Sequence, residues 1–329
     1  MAQRQPHETI WTLTNAVVPA RCLHLAADLG VADQIENEPV PLNELASRCD
    51  ADPDALDRVL RLLAAHGVFE HRVDGYGHTD ASRLLRSDHP MSMRAFPRMM
   101  GLPVFWTSLA RLDHSVRTGS PAINLVEPKG LWAYFQDHPG EAQIFGQAMT
   151  AKAGADIAAV LSAYDFSRFR TIADIGGGRG HLLRAVLDAV PAARGTLFDQ
   201  PEVIDSLDIE HERLTPQAGD FFKDALPAAD AYILMEVIHD WADAEAVAIL
   251  GAVRRAAPPG ATVLVIESVI ADEQPDPRAR TLDVLMLYVT GGRERTASQF
   301  RELFERAGFR YGDVLETAGP LRIVEATAA

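Results

Sequence analysis

A glycine turn, two strand-end acids and one histidine are the residues of this chain whose types and spacing could do chemistry. In the segment 171–181, T-I-A-D-I-G-G-G-R-G-H, an apolar run containing Asp174 leads into glycines at 176, 178 and 180. Only a backbone without side chains bends this tightly and lets a ligand lie against it. A helical pattern follows at once, so the turn faces a helix N-terminus, where anionic and nucleotide-like groups bind. The spacing G-x-G-x-G is tighter than the dinucleotide fingerprint, and no Lys-Ser or Lys-Thr pair follows as a triphosphate loop requires. A second apolar run, 195–198, ends in Asp199, 25 residues after Asp174, where a carboxylate suits the two hydroxyls of a ribose. A third acidic turn is Gly219-Asp220-Phe221-Phe222. Each alone reads more readily as an ordinary turn or helix cap. In this order, each at a strand end, they point to an adenosine-bearing cofactor rather than NAD or ATP.

The histidine lies in a fourth run, 231–238, which passes into His239-Asp240-Trp241. Ligands of open α/β sheets bind beyond the carboxyl ends of the strands, so His239 is placed to exchange a proton there. Its ordinary pKa of about 6.5 leaves it mostly neutral at pH 7. Asp243 can cap the helix expected over 244–256. Glu267 closes a fifth run. Glu294 sits in Gly291-Gly292-Arg293-Glu294-Arg295-Thr296, where it can pair with a neighbouring arginine or accept an imidazole N–H and fix the tautomer.

The elements that must position these groups follow from periodicity. From about 165 onward strands alternate with helices as in a doubly wound parallel sheet, with strands expected at 171–175, 195–198, 213–218, 231–237 and 261–268. Two last runs, 311–317 and 321–326, flank Ala318-Gly319-Pro320 with too little chain for a crossover, so they must pair antiparallel. Before this, 16–89 reads as short-looped helices followed by a hairpin about Asp74-Gly75, the outline of a winged helix. Between them, 91–150 is rich in Met, Phe and Trp, the composition of a core or of the roof of an apolar pocket. The division expected is 1–95, a helical linker 96–164 and a catalytic domain 165–329.

A winged helix raises the rival reading of a ligand-responsive DNA-binding regulator. Residues 1–90 hold eight Arg, no Lys and fourteen Asp or Glu, and the segment that would read DNA, 52–66, has three Asp against two Arg. Phosphate neutralisation needs the opposite sign, and the net charge of −15 also disfavours nucleic acid and anionic membrane as partners. Two cysteines, Cys22 and Cys49, form no disulfide framework and show no metal spacing, which suits a reducing cytoplasm. The charged residues among positions 1–30 fit neither a signal peptide nor a membrane span.

D-I-G-G-G-R-G, F-D-Q-P, G-D-F-F, the I-H-D-W turn, A-P-P-G-A-T-V-L-V-I-E and G-G-R-E-R-T followed by F-R-E-L-F-E-R-A-G-F together resemble the S-adenosylmethionine-dependent O-methyltransferases of plant caffeic acid type and their bacterial natural-product branch. The resemblance covers essentially the whole chain. It implies a class I methyltransferase, Rossmann-like sheet with a C-terminal antiparallel hairpin, and an N-terminal winged-helix domain that makes a homodimer. It implies S-adenosylmethionine as cofactor, S-adenosylhomocysteine as its product, no metal, and a polyketide-type phenol or similar aromatic small molecule as acceptor. Cofactor contacts then fall at Asp174, Gly176, Gly178, Asp199, Gln200, Asp220, Phe221, Met235 and Trp241, and acceptor contacts at Met149, Met286, Phe145, Trp106, Phe135 and Asp240. His239 falls at the catalytic base, with Glu267 and Glu294 as the acids that hold it. Met235 stands where plant members often place a lysine for the cofactor carboxylate, which shifts that duty to Arg179 or backbone amides. Relatives on the same fold that methylate nitrogen, hydroxylate or decarboxylate form the nearest alternative.

Overall fold

The computed structural model describes residues 5–208, 211–271 and 276–329, apart from the side chain of residue 155. It divides into two compact units, one of Met1–Trp106 with Gly140–Lys152, the other of Thr107–Pro139 with Ala153–Ala329. The helix Pro139–Ala163 contributes to both.

The first unit is helical with one small hairpin. Helix Pro53–Ala65 begins on Asp52, whose side chain accepts the N–H of Ala55, and buries Leu56, Leu60 and Leu63 on one face at helical spacing. Those residues join Val31, Ile35, Leu45 and Phe69 in the unit's core. The two-residue turn about Asp74 joins β1 (Phe69–Arg72) to β2 (Gly75–His78) in an antiparallel pair, as the sequence predicts. Helix Pro6–Asn15 is different: none of its residues is buried, and Ile10, Trp11 and Leu13 are 66–73% exposed.

The second unit carries a seven-stranded sheet. Its strands are β3 (Thr171–Ile175), β4 (Arg194–Asp199), β5 (Leu214–Ala218), β6 (Ala231–Met235), β7 (Thr262–Glu267), β8 (Phe309–Glu316) and β9 (Arg322–Ala328). They lie in the order β5-β4-β3-β6-β7-β9-β8, with β3 to β7 parallel and β9 antiparallel to both its neighbours. The expected hairpin therefore closes the parallel sheet. Central strands covered on both faces read as continuous apolar runs, and here alternate residues divide between two cores. Ala173, Ile175, Tyr232, Leu234, Val263 and Val265 face one side, packed with Ile249, Val253, Phe300 and Phe304. Ile172, Ile233, Leu264 and Ile266 face the other, packed with Leu183, Val186 and Leu187.

Strand order reverses between β3 and β6, which opens a crevice above their carboxyl ends. The glycine turn follows β3 and the His239 turn follows β6, so both groups rise from that edge. Strand β6 is shorter than the expected 231–237. It ends at Met235 because Glu236 turns left-handed, with φ of 53°. Nor does Asp243 cap the next helix: Ala242 occupies the cap position, and Asp243, the first helical residue, directs its carboxylate to Arg295.

Candidate active site

The glycine turn has the backbone its sequence demands. Gly176, Gly178 and Gly180 all have φ between 58° and 71°, where a side chain strains the chain, and a Cβ on Gly178 would meet only open space. Asp199, at the end of β4, accepts the N–H of Gly178 through one carboxylate oxygen and that of Gln200 through the other, both at 2.7 Å. One acid thus ties the turn to the neighbouring strand while each oxygen keeps a lone pair. Asp174 lies beneath, 1% exposed, with Oδ2 lacking a hydrogen-bond partner. Burial, reinforced by the charge of Asp199, pushes its pKa up to about 7. A cleft floored by acids and lined by bare backbone fits a hydroxyl-rich, positively charged group such as S-adenosylmethionine.

Further along the edge, Asp220 accepts the N–H of Phe222 and pairs with Lys223 at 2.8 Å. The rings of Phe221, Phe222 and Trp241 meet edge to face at 4.8–5.7 Å, making an apolar wall. Met235 is half-buried at the end of β6, and Arg179 is exposed on the glycine turn.

The left-handed Glu236 followed by the right-handed Val237 makes a concave nest of backbone N–H groups. Glu267 fills it: Oε1 accepts the N–H groups of Val237, Ile238 and His239 at 3.2, 2.6 and 3.0 Å. The carboxylate expected to hold the imidazole thus bonds to the main chain of the turn and not to the ring. The ring partner is Glu294, whose Oε1 lies 2.7 Å from Nδ1 of His239, with the pair almost wholly enclosed. Asp240 places Oδ1 3.9 Å from Nε2. Neither Arg293 nor Arg295 pairs with Glu294; both reach for Asp243.

This crowding changes the protonation expected from the sequence. Burial by itself disfavours an imidazolium, but the charge of Asp240, the hydrogen bond that the ring donates to Glu294 and the charges of Glu267 and Glu294 outweigh it and push His239 up to about 10. This surplus of negative charge favours the protonated ring, contrary to the neutral ring expected from its ordinary pKa. Burial likewise lifts Glu267 to about 7, against the opposing charges of His239 and Arg295.

The loop that carries Glu294 grips the turn that carries His239. Arg293 donates its N–H to the carbonyl of His239 at 2.8 Å, and Asp283 accepts that of Glu294 at 3.0 Å. Gly292 presses so close that a Cβ there would lie 1.9 Å from the His239 oxygen. The spacing of the two glycines in G-G-R-E-R-T is the one signal in the sequence for this approach. The partners of Gly292, Asp283 and Arg295 had none. Of the acceptor residues expected, Met286, Phe135 and Asp240 belong to the second unit, the first two buried; Met149, Phe145 and Trp106 belong to the first.

A sheet of this strand order, with a glycine turn after its first strand and an acid closing the second, defines the class I methyltransferase fold. The chain belongs to the O-methyltransferase family: residues 109–310 match its O-methyltransferase domain and residues 11–88 its O-methyltransferase dimerisation domain. It is similar to the mitomycin biosynthesis 6-O-methyltransferase of Streptomyces lavendulae, 36% identical across 98% of this chain and 95% of that protein. Among solved structures it is similar to LaPhzM, with a TM-score of 0.93 and 36% identity over 99% of this chain and all of the other. It is also similar to NcsB1, an O-methyltransferase from neocarzinostatin biosynthesis solved with S-adenosylmethionine and 2-hydroxy-5-methyl naphthoic acid; the TM-score is 0.81, with 32% identity over 95% of this chain and 96% of the other. This chain is accordingly an S-adenosylmethionine-dependent O-methyltransferase.

Proposed function

We propose that this enzyme methylates a hydroxyl of a flat aromatic small molecule of polyketide or related natural-product type, with His239 as the general base. The observation that carries the reading is the 2.7 Å contact between His239 Nδ1 and Glu294 Oε1 on the edge of the sheet that bears the glycine turn. Gly176, Gly178, Asp174, Asp199 and Gln200 would hold the methionine and ribose of the cofactor, with Asp220, Phe221 and Trp241 about its adenine. Bound there, S-adenosylmethionine supplies a methyl group activated by its sulfonium charge. Met286, Phe135 and Asp240, together with Met149, Phe145 and Trp106, are assigned to the acceptor, whose likeness to the naphthoic acid held by NcsB1 is a matter of shape and polarity. The N-terminal residues 1–95 are assigned to a homodimer interface, 96–164 to a linker that helps form the acceptor pocket, 165–329 to catalysis, and the cytoplasm to the working compartment.

A phenol with a pKa of about 10 is a poor nucleophile at pH 7 until its proton is taken. With Nδ1–H donated to Glu294, the nitrogen left for that task is Nε2. His239 can accept a proton only after losing the one its acidic neighbours hold, and a cationic group in the crevice favours that loss, since like charges disfavour the imidazolium. Glu267 keeps the turn folded around the ring throughout. Alignment of acceptor and methyl group supplies much of the remaining acceleration, for which roughly 7–11 kcal/mol is available in well-oriented systems.

The test is His239→Ala, assayed on a panel of mono- and polycyclic phenols while cofactor binding is followed by calorimetry. Turnover should fall by about 10²–10⁴-fold with cofactor affinity little changed. Unaltered turnover would remove His239 from the mechanism.

A further inference from the structure

Arg295 is the bulkiest wholly enclosed side chain among the described residues, only 1% exposed. A buried guanidinium is tolerated only when its donors and charge are met. Here they are. Nη1 donates to the carbonyl of Ile238 at 3.0 Å and to that of Arg293 at 3.4 Å. Nη2 donates to the carbonyl of Trp241 at 2.7 Å and to Asp243 Oδ1 at 2.8 Å, and Nε reaches the same carboxylate oxygen at 3.1 Å. Its main chain is tied elsewhere: the carbonyl accepts the N–H of Ile270 at 2.9 Å, and the residue bridges Val269 in parallel.

One residue therefore joins three stretches of chain: the extension of β7, the turn after β6, and the loop after helix Pro277–Val289. The two carbonyls it takes from the turn, those of Ile238 and Trp241, stand on either side of His239. Its own loop carries Glu294 one position earlier. Glu294 and His239 are 55 residues apart in sequence, so the length of their hydrogen bond depends on how firmly loop and turn are held together. A planar five-donor fork can hook two carbonyls and a carboxylate at once; a lysine ammonium cannot reproduce that geometry.

We propose that Arg295 is a positioning residue for methyl transfer, which by hooking the carbonyls flanking His239 to the Glu294 loop sets the imidazole–carboxylate pair and so the aim of Nε2. This rests on the reading of His239 as the base. Asp243 completes the device by holding two of the guanidinium nitrogens from the start of helix Asp243–Ala256. Arg295 also lends its positive charge to Glu267, whose ionised form keeps the three N–H groups of the turn gathered.

The experiment compares Arg295→Gln, Arg295→Lys and Asp243→Asn with the parent enzyme by three readouts: kcat, calorimetric affinity for S-adenosylmethionine, and the downfield proton resonance of the His239 Nδ1–H in enzyme without cofactor. Displacing a catalytic group by about 1 Å can lower turnover about 100-fold, and Arg295→Gln should lose about that much. Its cofactor affinity should stay within about threefold, and its Nδ1–H resonance should broaden or move upfield. Arg295→Lys should recover only part of the loss, and Asp243→Asn should move the same readouts in the same direction by less. Wild-type kcat and resonance in folded Arg295→Gln would overturn the proposal. So would a kcat loss matched by equal losses of cofactor affinity and melting temperature with the resonance unmoved, the mark of plain structural support. Should Arg295→Gln fail to fold, Asp243→Asn decides, and an unchanged resonance and kcat there overturn it. His239→Gln assayed alongside keeps the two readings apart: wild-type turnover in that variant defeats the base assignment, while the His239 Nδ1–H resonance in the Arg295 and Asp243 variants still reports on positioning.

Discussion

Glu294 Oε1 meets Nδ1 of His239 at 2.7 Å inside a shell where Glu267 grips the main chain on one side and Asp240 stands 3.9 Å from Nε2 on the other. Three acids about one imidazole hold its proton more tightly than any one could. The free enzyme should therefore show kcat/KM that rises with pH as His239 deprotonates, with the limb displaced above the ordinary histidine range. In Glu294→Gln a neutral amide oxygen can still accept Nδ1–H, but one negative charge is gone, so the limb should move to lower pH. The plateau should fall about 10²-fold, the lower end of what a general base contributes. An unmoved limb in a pH–rate profile of this variant would mean that Glu294 does not govern the proton.

Gly292 tests the loop from the backbone side. A methyl group there would lie 1.9 Å from the His239 oxygen and 2.5 Å from the carbonyl carbon of Asp240. Both are main-chain atoms, so the loop must retreat. The Arg293 N–H bond to His239 would then be lost and Glu294 drawn away. Gly292→Ala should cost about 1–3 kcal/mol by denaturant titration and about 100-fold in kcat. Parent-like stability would show that the loop yields without penalty.

Asp174 makes stability depend on pH in a defined direction. Its carboxyl stands near pH 7 in the fold against an ordinary 3.8, so between those values the folded chain holds a proton that the unfolded chain has released. Stability therefore declines as pH rises from about 4 to about 7, and the burial penalty is complete above that window. Asp174→Asn, which keeps an acceptor for the Leu183 N–H, should melt higher than the parent at pH 8 and no higher at pH 4. Each tenfold change in proton affinity between folded and unfolded chain is worth about 1.4 kcal/mol, so the gain at pH 8 is at most roughly 4 kcal/mol. Equal gains at both pH values, measured by thermal melts, would contradict the account.

The N-terminal helix Pro6–Asn15 buries nothing within its own chain, and Trp11 is 73% exposed. Exposed Ile10, Trp11 and Leu13, at the start of the stretch that matches a dimerisation domain, should be covered by a second subunit. Trp11→Glu places an unpaired carboxylate in that contact, a cost of several kcal/mol if it stays buried. Light scattering over a dilution series should show a dimer for the parent and dissociation for the variant. A variant as firmly dimeric as its parent would move the interface away from this helix.

Local chemistry in the sequence is enough for much of this. Glycines at 176, 178 and 180 announce positive φ angles, apolar runs of strand length announce a parallel sheet, and the short Ala318-Gly319-Pro320 link leaves antiparallel pairing as the only closure. Glu267 stands out because it closes a strand, and His239 and Glu294 because they lie in the short links that lead into helices, positions that are legible in periodicity. The roles dealt among them are not. Glu267 takes the backbone rather than the ring because Glu236 turns left-handed, and no residue type at 236 signals that.

What the sequence determined by itself was the order of elements, the family, and the residues that could do chemistry, because those depend on neighbours within a few positions along the chain. Only the tertiary structure decided that Arg295 would be buried in a fork across two loops, that Asp243 would serve it instead of capping a helix, and that His239 would sit among enough negative charge to keep its proton. Those outcomes turn on segments 28 to 57 residues apart in sequence meeting in the fold, and on burial, which weakens solvent screening and so lets a few charges fix the state of one ring.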